Sequence, residues 1–311
     1  MKIIMTKALV MFSGGLDSIL AAKILEEQGI EVLCVNFKSY FFDERLAVEM
    51  AKKFGFKLRV IDFSKEHLEL VKNPKYGYGK AMNPCLDCHI LMLKKLKEIM
   101  EKENFDFVAT GEVLGERPMS QTKKALKIVE EESSLKGYLL RPLSAKLLEE
   151  TIPEKKKLVD REKLFDIKGR SRKRQIELAK KFGIESYPTP AGGCLLTDLE
   201  FGKKLRELLK IFPNCDGNDI ELLKNGRQFW LGKIKIVVGR NEEENLNLKK
   251  LARENDVLVE LTNYPGPLTL IRNYGEKKIS KLAIEKAKEL TKYYSTKARG
   301  KADVKFSIKQ V

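Results

Sequence analysis

The sequence predicts an α/β protein. A parallel-sheet domain would occupy residues 1–225 and a smaller α+β domain residues 226–311. Three observations predict it. Short apolar runs alternate with helical patterns through the first half of the chain, the signature of βαβ units. The hexad Ser13-Gly14-Gly15-Leu16-Asp17-Ser18 stands between a strand pattern and a helix pattern. Beyond about residue 228 short β-rich runs crowd together ahead of one long helical stretch.

The elements follow in order. Ala8-Leu9-Val10-Met11-Phe12 reads as a buried parallel strand and Ile19 to Leu25 as the helix after it. Residues 31–37 read as a second strand, 43–53 as an amphipathic helix and 57–63 as a third strand. A helical pattern over Lys65 to Lys72 carries His67, read as a surface residue. A helix is expected from Ile90 to Lys102, a fourth strand over 105–110 and a fifth over 138–141. Residues 145–225 read as helical, with the amphipathic stretch Leu199 to Phe212 as a bridge to the second domain. There, strands are expected at 228–231, 234–238, 257–261 and 268–271, a helix from Ile279 to Tyr294 and a last strand within 304–311.

Hydrophobic residues make up 43% of the 311, enough for sizeable cores. No apolar run approaches the ~20 residues of a membrane span, and the first seven residues carry no signal-peptide pattern. A cytoplasmic protein with no membrane partner is expected. Sixty Lys and Arg against 44 Asp and Glu give a formal charge of +16, which points to a polyanionic partner, nucleic acid first. Five cysteines do not make a disulfide scaffold; metal binding or thiol chemistry is the expectation.

The hexad carries the first chemistry. Two glycines allow close backbone approach to a ligand, and the helix start offers free N–H groups to an anion. Ser13 and Ser18 add hydroxyls, and Asp17 can hold a metal ion against phosphate oxygens. An ordinary glycine turn would not need Asp and Ser at these offsets. Ligands of parallel sheets sit at the strands' carboxyl ends, where Gly111-Glu112 and Arg141-Pro142 also fall.

The second chemistry belongs to sulfur. Cys85 and Cys88 lie in Asn83-Pro84-Cys85-Leu86-Asp87-Cys88-His89, and Cys194 in the Pro/Gly-rich stretch 187–198. Two thiols at this spacing can share a metal or act as a redox pair. With Cys194 they fit a 4Fe-4S cluster with one open iron site. The rivals are Zn²⁺ completed by His89, and thiol chemistry without metal. Cys34 reads as a core residue, and Cys215 as a weak candidate for a fourth ligand. Basic runs at Lys155–Lys157 and at Arg170, Arg172, Lys173 and Arg174 read as RNA contacts.

The hexad resembles the loop of the PP-loop ATP pyrophosphatases, with their adenine nucleotide alpha hydrolase-like fold. The resemblance implies ATP and Mg²⁺ and adenylation of a substrate. Thr110-Gly111-Glu112-Val113-Leu114-Gly115, Ser120-Gln121 and Leu140-Arg141-Pro142-Leu143 resemble segments of tRNA 4-thiouridine synthetases. Asn83-Pro84-Cys85 and Gly193-Cys194 are similar to pieces of the tRNA 2-thiouridylases, and the three cysteines to the iron–sulfur tRNA thiolases. That family's THUMP and rhodanese-like domains find no match. The expected ATP-binding set is Ser13, Gly14, Gly15, Asp17, Ser18, Phe37, Gly111 and Gln121; the catalytic set is Asp17, Cys85, Cys88 and Cys194.

Val238-Gly239-Arg240-Asn241, Pro265-Gly266-Pro267 and Tyr293-Tyr294-Ser295 resemble the NFACT-R domain of ribosome quality-control factors, implying RNA contacts that here include Arg240 and Arg272. The alternative is a dimerisation domain, giving a homodimer. The resulting expectation is tRNA thiolation, 4-thiouridine ahead of 2-thiouridine, with tRNA and inorganic sulfide or a sulfur-donor protein as partners. Adenylation of a small molecule and non-catalytic RNA binding are the other readings.

Overall fold

A computed structural model describes residues 5–187, 193–275 and 278–311. The N-terminal strands are β1 (Lys7–Met11), β2 (Glu31–Lys38), β3 (Leu58–Asp62), β4 (Phe107–Thr110) and β5 (Leu139–Leu140). They form one parallel sheet in the order β3-β2-β1-β4-β5. Between them run the helices α1 (Leu16–Glu26), α2 (Arg45–Phe54), α3 (Ser64–Lys72), α4 (Cys85–Lys102) and α5 (Lys123–Glu132). The short α6 (Ile152–Lys155) and α7 (Lys173–Lys181) follow β5.

Alternation along β1 explains the layers. Ala8, Val10 and Phe12 pack with α1, α2 and α7 on one face, while Leu9 packs with Val35, Val108 and Leu93 and Leu96 of α4 on the other. A sheet buried on both sides needs strands apolar on both sides, which is why β1 and β4 read as continuous apolar runs. Strand order reverses between β1 and β4, so the crevice at their carboxyl ends is the switch point where such sheets take ligands.

Two expectations change here. The helix after Pro84 begins at Cys85, not Ile90, so the paired cysteines lie on its first turn. The fifth strand is two residues long: Arg141 leaves the ladder to pair with buried carboxylates, and Pro142 lacks the N–H to extend it.

Residues 198–311 form a second compact unit, so the division falls at Thr197/Asp198, ahead of the expected 225/226. Helices α8 (Leu199–Ile211) and α9 (Gly217–Lys224) belong to it. The Phe212 ring, at the end of α8, packs 5.0 Å from Tyr274, and Leu222 of α9 sits in the unit's core. The strands β6 (Arg227–Leu231), β7 (Ile234–Val238), β8 (Val257–Leu261), β9 (Thr269–Asn273) and β10 (Phe306–Gln310) make an antiparallel sheet ordered β10-β8-β9-β7-β6. Helix α10 (Glu242–Leu251) puts Leu248 with Val237 and Leu270 on one face. Helix α11 (Lys281–Tyr294) packs Ala287 and Leu290 on Ile236, Val259 and Ile271 of the other. Among the described residues no helix is long and apolar enough to cross a membrane.

Candidate functional site

The loop between β1 and α1 is held open by local bonds. Phe12 N–H donates to Val35 O at 2.8 Å, and Asn36 Nδ2 to Phe12 O at 2.8 Å, fixing the end of β1. Gly14 has φ +78°, and a Cβ there would lie 2.8 Å from Leu46 O, so the position needs glycine twice over. Gly15 N–H donates to Ser13 Oγ and Ser18 Oγ donates to Gly15 O. No side chain caps α1. Its first N–H groups remain for an outside acceptor, the arrangement that binds phosphate.

Around Asp17 the structure gathers residues that are remote in sequence. Burial raises the Asp17 pKa; Arg172, Arg117 and the neighbouring Gln175 amide pull it back only in part. Burial also raises the pKa of Glu116, and the Asp17 charge adds to it. Asp17 Oδ1, Arg172 Nε and both amide atoms of Gln175 are buried without a hydrogen-bond partner. Buried polar atoms are normally satisfied. This set suits a polyanion with its cation: two guanidiniums for phosphate oxygens, and a carboxylate oxygen for Mg²⁺.

Arg172, expected among the RNA contacts, lies beside Asp17. It belongs to the loop pocket through the start of α7, whereas Arg170 and Lys173 are exposed and Arg174 pairs with Asp166 at 2.7 Å. Glu116, Arg117 and Gln175 were not singled out in the sequence. The available signal for Gln175 was its helical phase with the buried Ala179, which makes it a polar residue on an apolar face.

The other expected nucleotide residues divide. Gln121 is buried and shapes the loop carrying Glu116 and Arg117, accepting from Arg117 N–H at Oε1 (3.1 Å) and from Gly115 N–H at its carbonyl (2.7 Å). Gly111 abuts the phosphate loop itself: a Cβ there would lie 2.5 Å from Asp17 C and 2.6 Å from Ser18 N. Phe37 is corrected. Its ring lies in the core, 5.3 Å from Phe63, and only 3% of the residue is exposed, so it offers no wall to a nucleotide.

The thiols assemble on the first turn of α4. Asn83 Nδ2 donates to Cys85 Sγ at 3.3 Å. Cys88 is buried, with Sγ 2.7 Å from His67 Nε2. Burial holds the Cys88 thiol well above its ordinary pKa, and nearby Cys194 and Cys85 raise it further. Cys194 is pushed up to about 11, chiefly by burial. Its segment is pinned by Leu195 N–H to Phe41 O and Met82 N–H to Leu196 O. The three cysteines are therefore brought together, although Pro188–Gly192 of the loop lies outside the described residues. Cys34 and Cys215 are buried away in their own cores.

The donor set does not form the expected metal site. Among the described residues no group of three or more His, Cys, Asp and Glu is placed to hold an ion, and Cys88 Sγ is engaged by His67. His89, the zinc variant's fourth ligand, has Nδ1 3.0 Å from Glu112 Oε1 and is not grouped with the three cysteines among the described residues.

His67 is also corrected. It is fully buried, stacked on Phe63 at 4.7 Å and 5°, and edged by Phe41 and Phe42. Burial lowers its pKa to about 4, so the ring is neutral.

One buried network joins the two halves. Glu112 Oε2 accepts from Thr110 Oγ1 and from Arg141 Nε, both at 3.0 Å. Arg141 continues to Glu130 Oε2 at 3.3 Å. Burial opposes the Glu112 charge, but Arg141 and then His89 outweigh it and hold the pKa at about 2.

In the second unit Arg272 is withdrawn from the RNA-contact set. It is 3% exposed and bonded to Asp219 and Asp256. Arg240 is spent on Glu244.

A glycine loop at the sheet's switch point, a carboxylate flanked by guanidiniums and thiols on the next frame define a PP-loop α/β domain. Residues 6–181, more than half of the chain, match the family described as tRNA methyl transferase HUP domain, and the chain belongs to it. Residues 226–311 match the NFACT protein RNA binding domain.

Among curated proteins, the chain is 30% identical over 192 residues to tRNA-specific 2-thiouridylase MnmA 2 of Fusobacterium nucleatum, covering 59% of this chain and 52% of that protein. The protein of the same name from Caldanaerobacter subterraneus is 28% identical over 230 residues, 66% and 59% of the two chains. The Clostridioides difficile tRNA-specific 2-thiouridylase MnmA is 26% identical over 260 residues, 74% and 68%. The chain thus spans a little over half the length of the first of these relatives. A solved structure described as a predicted subunit of tRNA methyltransferase from Methanocaldococcus jannaschii aligns at a TM-score of 0.38 and 20% identity, over 57% of this chain and 76% of its own.

Proposed function

We propose that the chain is an ATP-dependent tRNA thiolase that converts a uridine to 2-thiouridine. The observation that carries this reading is the run Gly111-Glu112. It packs against Asp17 and Ser18 on one side and, through His89, anchors the thiol-bearing turn of α4 on the other. An adenylating loop and a sulfur site thereby share one frame. The relatives named as 2-thiouridylases favour the C2 carbonyl over the C4 carbonyl expected from the central motifs.

The chemistry follows from the residues. The N–H groups of α1, Ser13, Ser18, Arg117 and Arg172 hold the phosphates of ATP and bear the charge that develops as pyrophosphate leaves. Asp17 would hold Mg²⁺, which neutralises phosphate charge when bound. The uridine carbonyl oxygen attacks the α-phosphate, and AMP on that oxygen becomes a leaving group. The target base must leave its stack to reach the site.

Cys194, loaded as a persulfide by exchange with the persulfide of a sulfur-donor protein, which leaves as its thiol, attacks the activated carbon with its terminal sulfur, and AMP departs. The Cys85 thiolate then attacks Cys194 Sγ. Thiouridine is released and a Cys85–Cys194 disulfide remains for an external thiol to reduce. Cys88, buried on His67, stays out of this exchange. No step runs through a cluster, since the donor arrangement does not fit one.

The test is an anaerobic reaction of unmodified tRNA with ATP, Mg²⁺ and a persulfide donor, read by nucleoside mass spectrometry. A 2-thiouridine product is expected. A 4-thiouridine product would return the target to C4. AMP without any thionucleoside would overturn sulfur transfer. Stoichiometric iron and acid-labile sulfide in anaerobically purified protein, lost in Cys88→Ala, would reinstate the three-cysteine cluster.

A further inference from the structure

The C-terminal unit carries an aromatic and cationic cluster at the end of α11 and the start of β6. Tyr293 is 54% exposed. The Arg299 guanidinium lies over its ring at 4.7 Å, anchored by Nε donating to Tyr293 O at 2.7 Å. The Tyr294 ring meets Tyr293 edge-on at 5.0 Å and 88° and carries the Arg227 guanidinium at 4.3 Å. Phe229 backs Tyr294 at 6.2 Å. Among the described residues neither Arg227 nor Arg299 is ion-paired, unlike Arg240, Arg253 and Arg272 of the same unit. From 291 to 311 the only acid is Asp303, against Lys292, Lys297, Arg299, Lys301, Lys305 and Lys309.

We propose that this cluster is the RNA-contact surface of the unit and that it takes unpaired nucleotides, with bases stacking on Tyr293 and the guanidinium planes. The inference rests on the reading of the chain as an RNA-acting protein and names the kind of RNA. Exposed aromatic rings serve as platforms for bases, whose π-faces stack irrespective of sequence. A guanidinium already held over a ring offers a second planar surface at little ordering cost. The surrounding lysines supply the phosphate contacts and the salt dependence. A helical RNA presents no free base faces, so it would use the lysines alone.

The experiment uses the full chain without ATP or a sulfur donor, so a failure of the thiolation reading leaves it standing. Fluorescence anisotropy compares a single-stranded oligouridine with an RNA hairpin duplex of equal phosphate number. Tyr293→Ala and Arg299→Ala should each weaken single-strand binding by about fivefold or more and leave duplex binding within about twofold; Tyr293→Phe should restore it. Circular dichroism checks that the variants remain folded, and the Tyr293→Phe rescue keeps the outcome decisive. Single-strand affinity unchanged in Tyr293→Ala overturns the proposal. So does equal weakening toward duplex and single strand, or a shift in sedimentation coefficient marking the cluster as a contact between copies.

Discussion

Gly111→Ala is the sharpest test of how the fold builds the site. The new Cβ would stand 2.5 Å from Asp17 C, 2.6 Å from Asp17 O and 2.6 Å from Ser18 N, roughly 0.8 Å inside the onset of ordinary contact. All three atoms are backbone, so no side chain can swing away. Either the end of β4 or the first turn of α1 must move by several tenths of an ångström. Overpacking of this kind costs about 1–3 kcal/mol; the stiffer unfolded chain returns about 0.4–1 kcal/mol. A net loss of ~1–2 kcal/mol should appear in urea unfolding followed by circular dichroism. The larger effect is on function. A shift near 1 Å at positioned groups costs on the order of a hundredfold in rate, so tRNA-dependent AMP formation should fall by about ten- to a hundredfold. A variant with native stability and AMP formation within twofold of the parent would refute the claim that Gly111 sets the place of Asp17.

Arg172→Ala should weaken ATP binding about tenfold in equilibrium dialysis while tRNA affinity stays within twofold; the reverse pattern would return Arg172 to the RNA surface. Cys85→Ser should abolish thionucleoside formation yet leave AMP release intact, whereas Cys88→Ala should retain at least about a tenth of the product; equal loss in both would restore a three-cysteine role. His67 gives a pH dependence. Its pKa lies near 4 in the folded chain against the ordinary 6.5 because burial disfavours the charged ring, so its contribution is complete above pH 6.5 and drains as pH falls toward 4, by ~3 kcal/mol. The difference in urea stability between the parent and His67→Phe should follow that slope, and a pH-independent difference would show that His67 is not buried neutral.

The sheet was legible because its central strands β1 and β4 are buried on both faces and so read as unbroken apolar runs. The phosphate loop was legible because its chemistry is local: two serines, an aspartate and two glycines within six residues suffice. What escaped was everything assembled across the chain. His67 looked like a surface histidine because its partners Phe41, Phe42, Phe63 and Cys88 come from different elements, and no local period marks such a box. Arg172 looked like one cation in a basic run, and only the packing of α7 on α1 carries it to Asp17. Arg272 looked like a strand-end cation; its carboxylates lie 53 and 16 residues away in sequence. The start of α4 was placed five residues late because Pro84, at its N-cap, reads equally well as a loop residue.

Glu112 shows why the thiol-bearing turn keeps its place. Held ionised near a pKa of about 2, it can only accept hydrogen bonds. Thr110 and Arg141 donate to Oε2, so His89 must donate from Nδ1 to Oε1, which fixes its tautomer and its ring. Moving the first turn of α4 would strip His89 from a buried carboxylate and expose part of that charge to a dry surround. Losing one hydrogen bond to a buried carboxylate that keeps Arg141 and Thr110 costs about 1.5–3 kcal/mol, more than a typical backbone bond of the turn contributes. The same carboxylate is joined through one peptide bond to Gly111, which bears on Asp17 and Ser18. A displacement at the phosphate loop therefore cannot relax into the sulfur site without breaking this network. The two chemistries are held at a fixed spacing by charge at one residue and by the absence of a side chain at its neighbour.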